Sequence, residues 1–468
     1  MATVTWTGGG ANNLASTGLN WDTASAPGSS DDVVFDGAFP ATGDKNVTWD
    51  ITTNLTSIDF QSGYSGDVTL TAQMQASAGA GGYITWNGTG TFDANGQNVV
   101  FKSFDASGSS TKTLLMGEGT WTITPTAAGT FNLNGTNLTY NKETSTVDSQ
   151  SAGTTITMKS GVEFYNLTFT ITGHDTLVLG SDIVVNNAFN ATAAAGFNLT
   201  VNSNTMTLKG AVTTGGSMGK LLGTTSIVFG GTGTVTLDKK IENPITINTA
   251  GTVTFANSTH LLGGNFTYTA GTVVAGTSTI SAGGGTNYNC GTIAWNNFTT
   301  TADTGTVTLT GNLSVTGTLT ISSGSTLSCG SNTLTLAGNF TRTGTFTAGT
   351  STVIWNGTST LSGTTTFNNF TINNTKTVHL TSTQTFTVSG AFTTSGTSTL
   401  DAVTATSRAN LSVNGSQSVV GVAATDIDSS GGSVKPIHNV GGTNSNTVQW
   451  DTAAAVTAVP RMMLLGIG

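Results

Sequence analysis

Two groups of carboxylates in this sequence lie close enough together to attempt acid–base chemistry: Asp31, Asp32 and Asp36 near the start, and Asp426 with Asp428 near the end. Cleavage of a glycosidic bond needs two carboxylates a few ångströms apart, one acting as acid and the other as base or nucleophile. Elimination on an acidic sugar would also need a cation, and the chain offers Arg342, Arg408 and Arg461, none of them near an acidic group along the sequence. Both groups sit in turn-rich segments, where an Asp bonded to its own backbone is the ordinary occupant. No catalytic residue is assigned to them, and the chain is read as a non-enzyme.

Metal and cofactor chemistry is equally thin. His174, His260, His379 and His438 are far apart and lack Cys or carboxylate partners at ligand spacing, so exposed or capping positions are expected for them. Calcium at Asp426 and Asp428 stays open, although the spacing lacks the glycine and terminal Glu of the helix-loop-helix calcium site. Cys290 and Cys329 form no disulfide framework and are expected as small core fillers. Glycine runs such as Gly283-Gly284-Gly285 lack the Lys-Ser/Thr that would follow in a phosphate-binding loop, and read as turns. No cofactor and no metal site are therefore assigned.

Composition says what must hold any such residues in place. Only 8% of the side chains are charged, against about a quarter in an ordinary globular domain. Roughly a fifth of the residues are threonine, and 62 are glycine against 6 proline; this mixture favours strands and tight turns over helices. The net charge of −9 and the scattered basic residues exclude a phosphate-binding stripe, so nucleic acid is not an expected partner. No apolar run approaches the roughly 20 residues of a spanning helix, and Met462-Met463-Leu464-Leu465 is too short for an anchor. Membrane insertion is not expected. The first residues, Met1-Ala2-Thr3-Val4-Thr5-Trp6, do not resemble a secretory signal, so export by another route or assembly inside a cell is expected.

The apolar pattern has period two. From Thr306 to Ile321, alternation places Val307, Leu309, Leu313, Val315, Leu319 and Ile321 on one face and hydroxyls on the other, with Gly or Gly-Asn breaking the run every few residues. A phrase recurs as Trp295-Asn296-Asn297-Phe298-Thr299 and Phe367-Asn368-Asn369-Phe370-Thr371, with relatives at Phe164-Tyr165-Asn166-Leu167-Thr168 and Asn243-Pro244-Ile245. A second phrase, Ala270-Gly271-Thr272-Val273-Val274-Ala275-Gly276-Thr277-Ser278-Thr279-Ile280, is echoed by Phe346-Thr347-Ala348-Gly349-Thr350-Ser351-Thr352-Val353-Ile354-Trp355-Asn356-Gly357. The interval 369 − 297 = 72 reads as a module of about three coils of 18–25 residues. About twenty coils of ~4.8 Å rise would make a rod on the order of 100 Å.

The polar residues then take structural roles. Asn-x-Thr occurs at Asn54, Asn137, Asn166, Asn198, Asn265, Asn297, Asn339 and Asn369. Recurrence at module positions predicts an Asn that satisfies the backbone of a neighbouring coil or stacks in a ladder, in preference to a glycosylation acceptor. Thr pairs such as Thr306/Thr308, Thr318/Thr320, Thr333/Thr335 and Thr345/Thr347 fall on essentially every strand, which argues for solvent-facing β-branched residues over an ice-binding face. Trp295, Trp355, Phe298, Phe340, Phe346 and Phe370 are expected as stacked core layers.

Three stretches carry a resemblance: Trp6-Thr7-Gly8-Gly9-Gly10 with Asn20-Trp21-Asp22 and Asp31-Asp32-Val33-Val34-Phe35-Asp36; Gly117-Glu118-Gly119-Thr120-Trp121-Thr122-Ile123 with the Asn-Leu/Phe-Thr modules; and Asp426-Ile427-Asp428-Ser429-Ser430-Gly431-Gly432 with Asn444-Ser445-Asn446-Thr447-Val448-Gln449-Trp450. Together the chain resembles the Thr/Gly/Asn-rich parallel β-helix proteins of phage virions and bacterial surfaces, which include passenger and adhesin types. The expected fold is all-β: an elongated β-solenoid, a parallel β-helix taken as right-handed, with capping segments at both ends. Its sections are an N-terminal cap or assembly segment (1–50), a first solenoid section (51–163), modular repeats (164–420) and a C-terminal cap and tail (421–468). The resemblance implies a structural role in a bacteriophage virion, as a fibre or capsid-decorating component. A bacterial surface adhesin or extracellular filament is the alternative, and a glycan-processing tailspike the third reading. Expected partners are copies of itself in a homo-oligomer, other virion or surface proteins, and a host-surface glycan.

Overall fold

The computed structural model describes residues 2–452 apart from 39–44, 80, 125–128, 152, 172–174, 194–197, 217, 303 and 441. Strand accounts for 54% of the chain and helix for 1%, and the parallel strands stack into a β-solenoid of about 18 turns. The all-β expectation holds, because residues that alternate Thr with Val, Leu, Ile or Phe bury one side of a pleated strand and cannot form a helical stripe. The chain divides into two compact units, Met1–Asn287 and Tyr288–Gly468.

In the first unit one face runs in unbroken parallel pairing from Thr3–Thr5 through Asp32–Phe35, Ser57–Phe60, Tyr83–Trp86 and Ser103–Asp105 to Thr279–Ala282. A second face begins at Val47–Trp49 and ends at Leu138–Asn141. A third carries Met74–Ala76, Val99–Phe101, Thr120–Ile123 and Thr146–Ser149. Beyond that point the long strands Phe164–Ile171 and Ile183–Ala193 each span the width of two short ones, which separate again as Thr205–Leu208 with Ala211–Gly216 and Ser226–Phe229 with Gly233–Leu237 before the long Ile245–Phe255 and Phe266–Val274. The interior is aromatic at the N-terminal end: Trp6, Trp49, Trp86, Trp121, Phe35, Phe60, Phe92 and Phe101 are all 0% exposed.

The second unit has three short strands per turn. In one turn these are Leu313–Val315, Leu319–Ile321 and Ser325–Ser328, each paired with its equivalent one turn on. The alternation from Thr306 to Ile321 is realised as read: Val307, Leu309, Leu313, Val315, Leu319 and Ile321 are at most 2% exposed. The six aromatic residues expected in core layers are buried, and so are both cysteines. Burial pushes the Cys290 and Cys329 thiols up to about 12, as expected for inert core fillers.

The 72-residue phrase behaves differently from the expectation. Asn297–Thr300 pairs with Leu319–Ile321, whereas Asn369–Ile372 pairs with Thr352–Trp355, on another face of the coil. Turns here are about 21 residues long, as the Asn297-to-Thr318 and Asn339-to-Thr360 bonds show. The interval of 72 is thus three turns plus nine residues, enough to pass the strand Thr365–Phe367 and reach the next face, so the phrase marks no fixed place in the coil.

The start of the first unit is closed by its own chain. Thr5, on the outermost strand, donates its N–H to Asp22 Oδ1 (2.9 Å) and accepts from the Asp22 N–H (3.0 Å). Thr48, on the first strand of the second face, donates to Asn13 O (2.8 Å) and accepts from Ala15 N (3.0 Å). Trp6 and Trp21 meet edge to face at 5.0 Å over Phe35. Edge groups that would otherwise template aggregation are consumed in this way.

Candidate functional site

The acidic residues weighed for catalysis accept hydrogen bonds within the protein, most of them from backbone amides. Asp31 accepts from Ala2 N at Oδ1 (3.1 Å) and from Gly28 N at Oδ2 (2.9 Å). Asp36 accepts from Ala38 N (2.8 Å), and Asp32 from the Ser57 hydroxyl of the next turn (2.6 Å). Asp22, which was not among the catalytic candidates, does comparable work at the outermost strand.

At the other end the fold brings together residues that sequence distance had separated. Ala409 pairs with Ile427, so Arg408 lies one turn from Asp426. No arginine is near an acidic group along the sequence, but neighbours in a solenoid are one coil apart, and the coil brings Arg408 beside this group. Arg408 Nε donates to Asn446 O (2.8 Å), and its terminal nitrogen to Asn446 Oδ1. Asn446 Nδ2 in turn donates to Asp426 Oδ1, and Thr406 N reaches Asp426 Oδ2 at 3.2 Å. Asp426 is 6% exposed and both its oxygens are occupied. The Ser430 hydroxyl and amide hold the Asp428 carboxyl below its usual range, helped by Arg408 and Lys435 against opposing burial. Lys435 Nζ caps the Ser430 (3.0 Å) and Gly432 (2.6 Å) carbonyls. The arrangement closes a corner. Among the described residues no group of three or more His, Cys, Asp or Glu is placed to hold a metal ion.

The histidines part ways. His260 is 0% exposed, contrary to the exposed or capping position expected. In Thr259–Leu262 it shares the inward parity of Leu262, its ring edge meets Phe255 at 5.1 Å, Nδ1 accepts from Leu237 N (3.2 Å) and Nε2 meets Ala256 O (2.9 Å). Burial lowers its pKa against the Ala256 bond and the Asp238 charge, so the imidazole is a neutral core residue. His379 Nδ1 lies 2.6 Å from Asp401 Oδ1, its register partner one turn on. Only the backbone of His438, in the strand Ile437–Val440, is described, and His174 lies outside the described residues.

Coil-to-coil bonding is the general use of polar side chains. The Oδ1 atoms of Asn54, Asn265, Asn297, Asn339 and Asn369 accept from Ser77, Asn287, Thr318, Thr360 and Ala391 N–H groups one turn on, at 2.8–3.0 Å. Asn137 Nδ2 bonds Ser109 O, and Asn187 Nδ2 bonds Asn166 Oδ1. The expected ladder is present, because a corner leaves an N–H without a strand partner and a side-chain carbonyl of the preceding coil is in reach.

Charged posts do the same. Glu163 binds Lys209 (2.8 Å), Lys142 (3.5 Å) and Asn186 (2.5 Å), spanning several turns. Burial raises its pKa, but the Lys209 and Asn186 hydrogen bonds and the two lysine charges outweigh it, and the net shift is downward. The stabilisation is therefore complete above the unfolded value of 4.5 and lost as pH falls through the lowered folded value. With side chains 27–38% exposed, Glu163→Gln is expected to cost about 1 kcal/mol or less at pH 7. Urea unfolding of both proteins should show that gap closing below pH 4.5; a gap unchanged by acid would contradict the assignment.

Among the described residues no helix is long and apolar enough to cross a membrane. No family model, no curated protein and no solved structure matches the chain.

Proposed function

We propose that the chain is a non-enzymatic structural protein that works by self-assembly and by presenting a stable surface, as a virion fibre or capsid-decorating component. The observation that carries the non-enzymatic part is the use made of the carboxylates: both oxygens of Asp31 and of Asp426 accept hydrogen bonds within the protein. Stacked coils satisfy their own backbone through coil-to-coil pairing, which suits a self-supporting structural element. The virion placement rests on the resemblance in sequence alone.

Incubation with host-surface polysaccharide tests the first half. No reducing ends and no unsaturated sugars are expected; release that disappears in Asp426→Asn or Asp428→Asn would overturn it. Gold-labelled antibodies on electron micrographs of the native source test the second half. Label on particles supports a virion component, and label confined to cell envelopes replaces it with a surface adhesin.

A further inference from the structure

On the first unit three successive corners between the first and second faces differ in length. They are residues 61–67 after Ser57–Phe60, 87–89 after Tyr83–Trp86 and 106–111 after Ser103–Asp105. A short corner between two long ones leaves a notch of about 470 Å³, lined by Asp59, Gln61, Ser62, Asn87, Gly108, Ser109 and Ser110. That volume is within the roughly 300–1,000 Å³ of small-ligand sites.

The notch is braced by hydrogen bonds on its floor and one wall, and it gathers polar side chains that bond little within the protein. Its floor is pinned: the Asn87 and Gly88 amides donate to Phe60 O (2.9 and 3.1 Å), and the Thr89 amide to Tyr64 O (2.8 Å). One wall is held by the Asn137 bond to Ser109 O (2.8 Å). A Cβ on Gly108 would stand 2.3 Å from Asn87 Oδ1 and 3.2 Å from Lys112 Nζ, so this corner packs closely on Asn87, as Gly317 packs on Asn297. Lys112 is 1% exposed, donates to Trp86 O (2.8 Å) beneath the notch, and is held below the usual lysine range by burial. Five corner asparagines elsewhere spend Oδ1 on the next coil, but the Asn87 side chain does not. Nor do the hydroxyls of Ser62, Ser109 and Ser110 bond within the described protein, and Asp59 uses only Oδ2, toward Gln61 (3.1 Å). Free donors and acceptors are thus gathered at one preorganised indentation.

We infer that this notch is a binding site for a neutral saccharide of about two sugar units. A carboxylate oxygen, an amide and three hydroxyls match the paired donors and acceptors of vicinal sugar hydroxyls. The Asp59 carboxylate in the lining repels anions, and a single carboxylate does not make a cation site. Lacking an aromatic platform, the site binds weakly, with Kd on the order of 0.1–1 mM. The inference does not depend on where the protein resides or on its lack of catalysis.

The test is calorimetric titration of the full chain with maltose, cellobiose, lactose and chitobiose, and with digalacturonate and inorganic phosphate as anionic probes. Saturable binding of at least one neutral disaccharide is expected, weakened about tenfold or more in Asp59→Asn and in Asn87→Ala. Ser109→Trp, a change at an exposed position that plugs the notch, should abolish binding while leaving the thermal unfolding transition in place. Absence of saturation by every neutral disaccharide to 20-fold above ~1 mM would overturn the inference, as would preference for the anions or binding that survives in Ser109→Trp.

Discussion

Phe60→Ala is expected to lower the unfolding free energy by about 3–5 kcal/mol, the range for deleting a fully buried aromatic side chain. Phe60 is 0% exposed and stacks on Phe35 at 4.3 Å, while its ring centroid lies 5.0 Å from Trp86, 5.6 Å from Tyr64 and 6.1 Å from Phe92. The cavity cannot collapse easily, since its walls are ladder strands held at fixed spacing by backbone bonds on both sides. Phe60→Leu, which refills part of the volume, should lose markedly less. Urea unfolding followed by tryptophan fluorescence measures both. In a stacked-coil protein each turn is supported only by its neighbours, so hydrogen exchange should show the loss concentrated in the turns that contain Phe35, Phe60 and Trp86. Uniform loss over the whole chain, or a cost under about 1 kcal/mol, would contradict this account of the core.

Gly338→Ala is expected to cost about 2–3 kcal/mol by overpacking, although it adds only a methyl group. Gly338 stands at a corner directly over Gly317, and a Cβ there would lie 1.7 Å from Gly317 O and 2.4 Å from its carbonyl carbon. Both are backbone atoms of the preceding coil, so no side chain can turn aside to make room. The adjacent Asn339-to-Thr360 bond (2.9 Å) would be displaced with the corner. Thermal unfolding of Gly338→Ala beside Gly317→Ala separates causes. A Cβ on Gly317 would meet the Asn297 side-chain oxygen at 2.6 Å, which can move at the loss of one hydrogen bond, and the Asn296 backbone oxygen at 2.8 Å, far less close than the 1.7 Å at Gly338, so the second variant should be the milder. Equal effects would point to backbone entropy in place of close approach.

Much of the fold was legible because its signal is local. Side-chain parity in a strand is two, so Val307 to Ile321 could be sorted into inner and outer faces from the sequence alone. The same rule applied to Thr259–Leu262 would have turned His260 inward with Leu262; the residue was misplaced because its type was weighed before its parity. The recurring Asn-x-Thr predicted a ladder, and the ladder exists, since a corner N–H must be satisfied wherever it falls.

What sequence alone determined, then, is the strand-and-turn alphabet: a parallel all-β coil, buried aromatic and thiol side chains, and asparagine at the corners. Tertiary structure decided who meets whom. Register depends on the length of every intervening corner, and those lengths vary. Arg408 with Asn446, His379 with Asp401, and Glu163 with Lys142 and Lys209 are separated by one or two turns, a distance that no local pattern encodes. The same variation set the 72-residue phrase on two different faces. It also opened the notch at Asn87, where a three-residue corner happens to lie between longer ones.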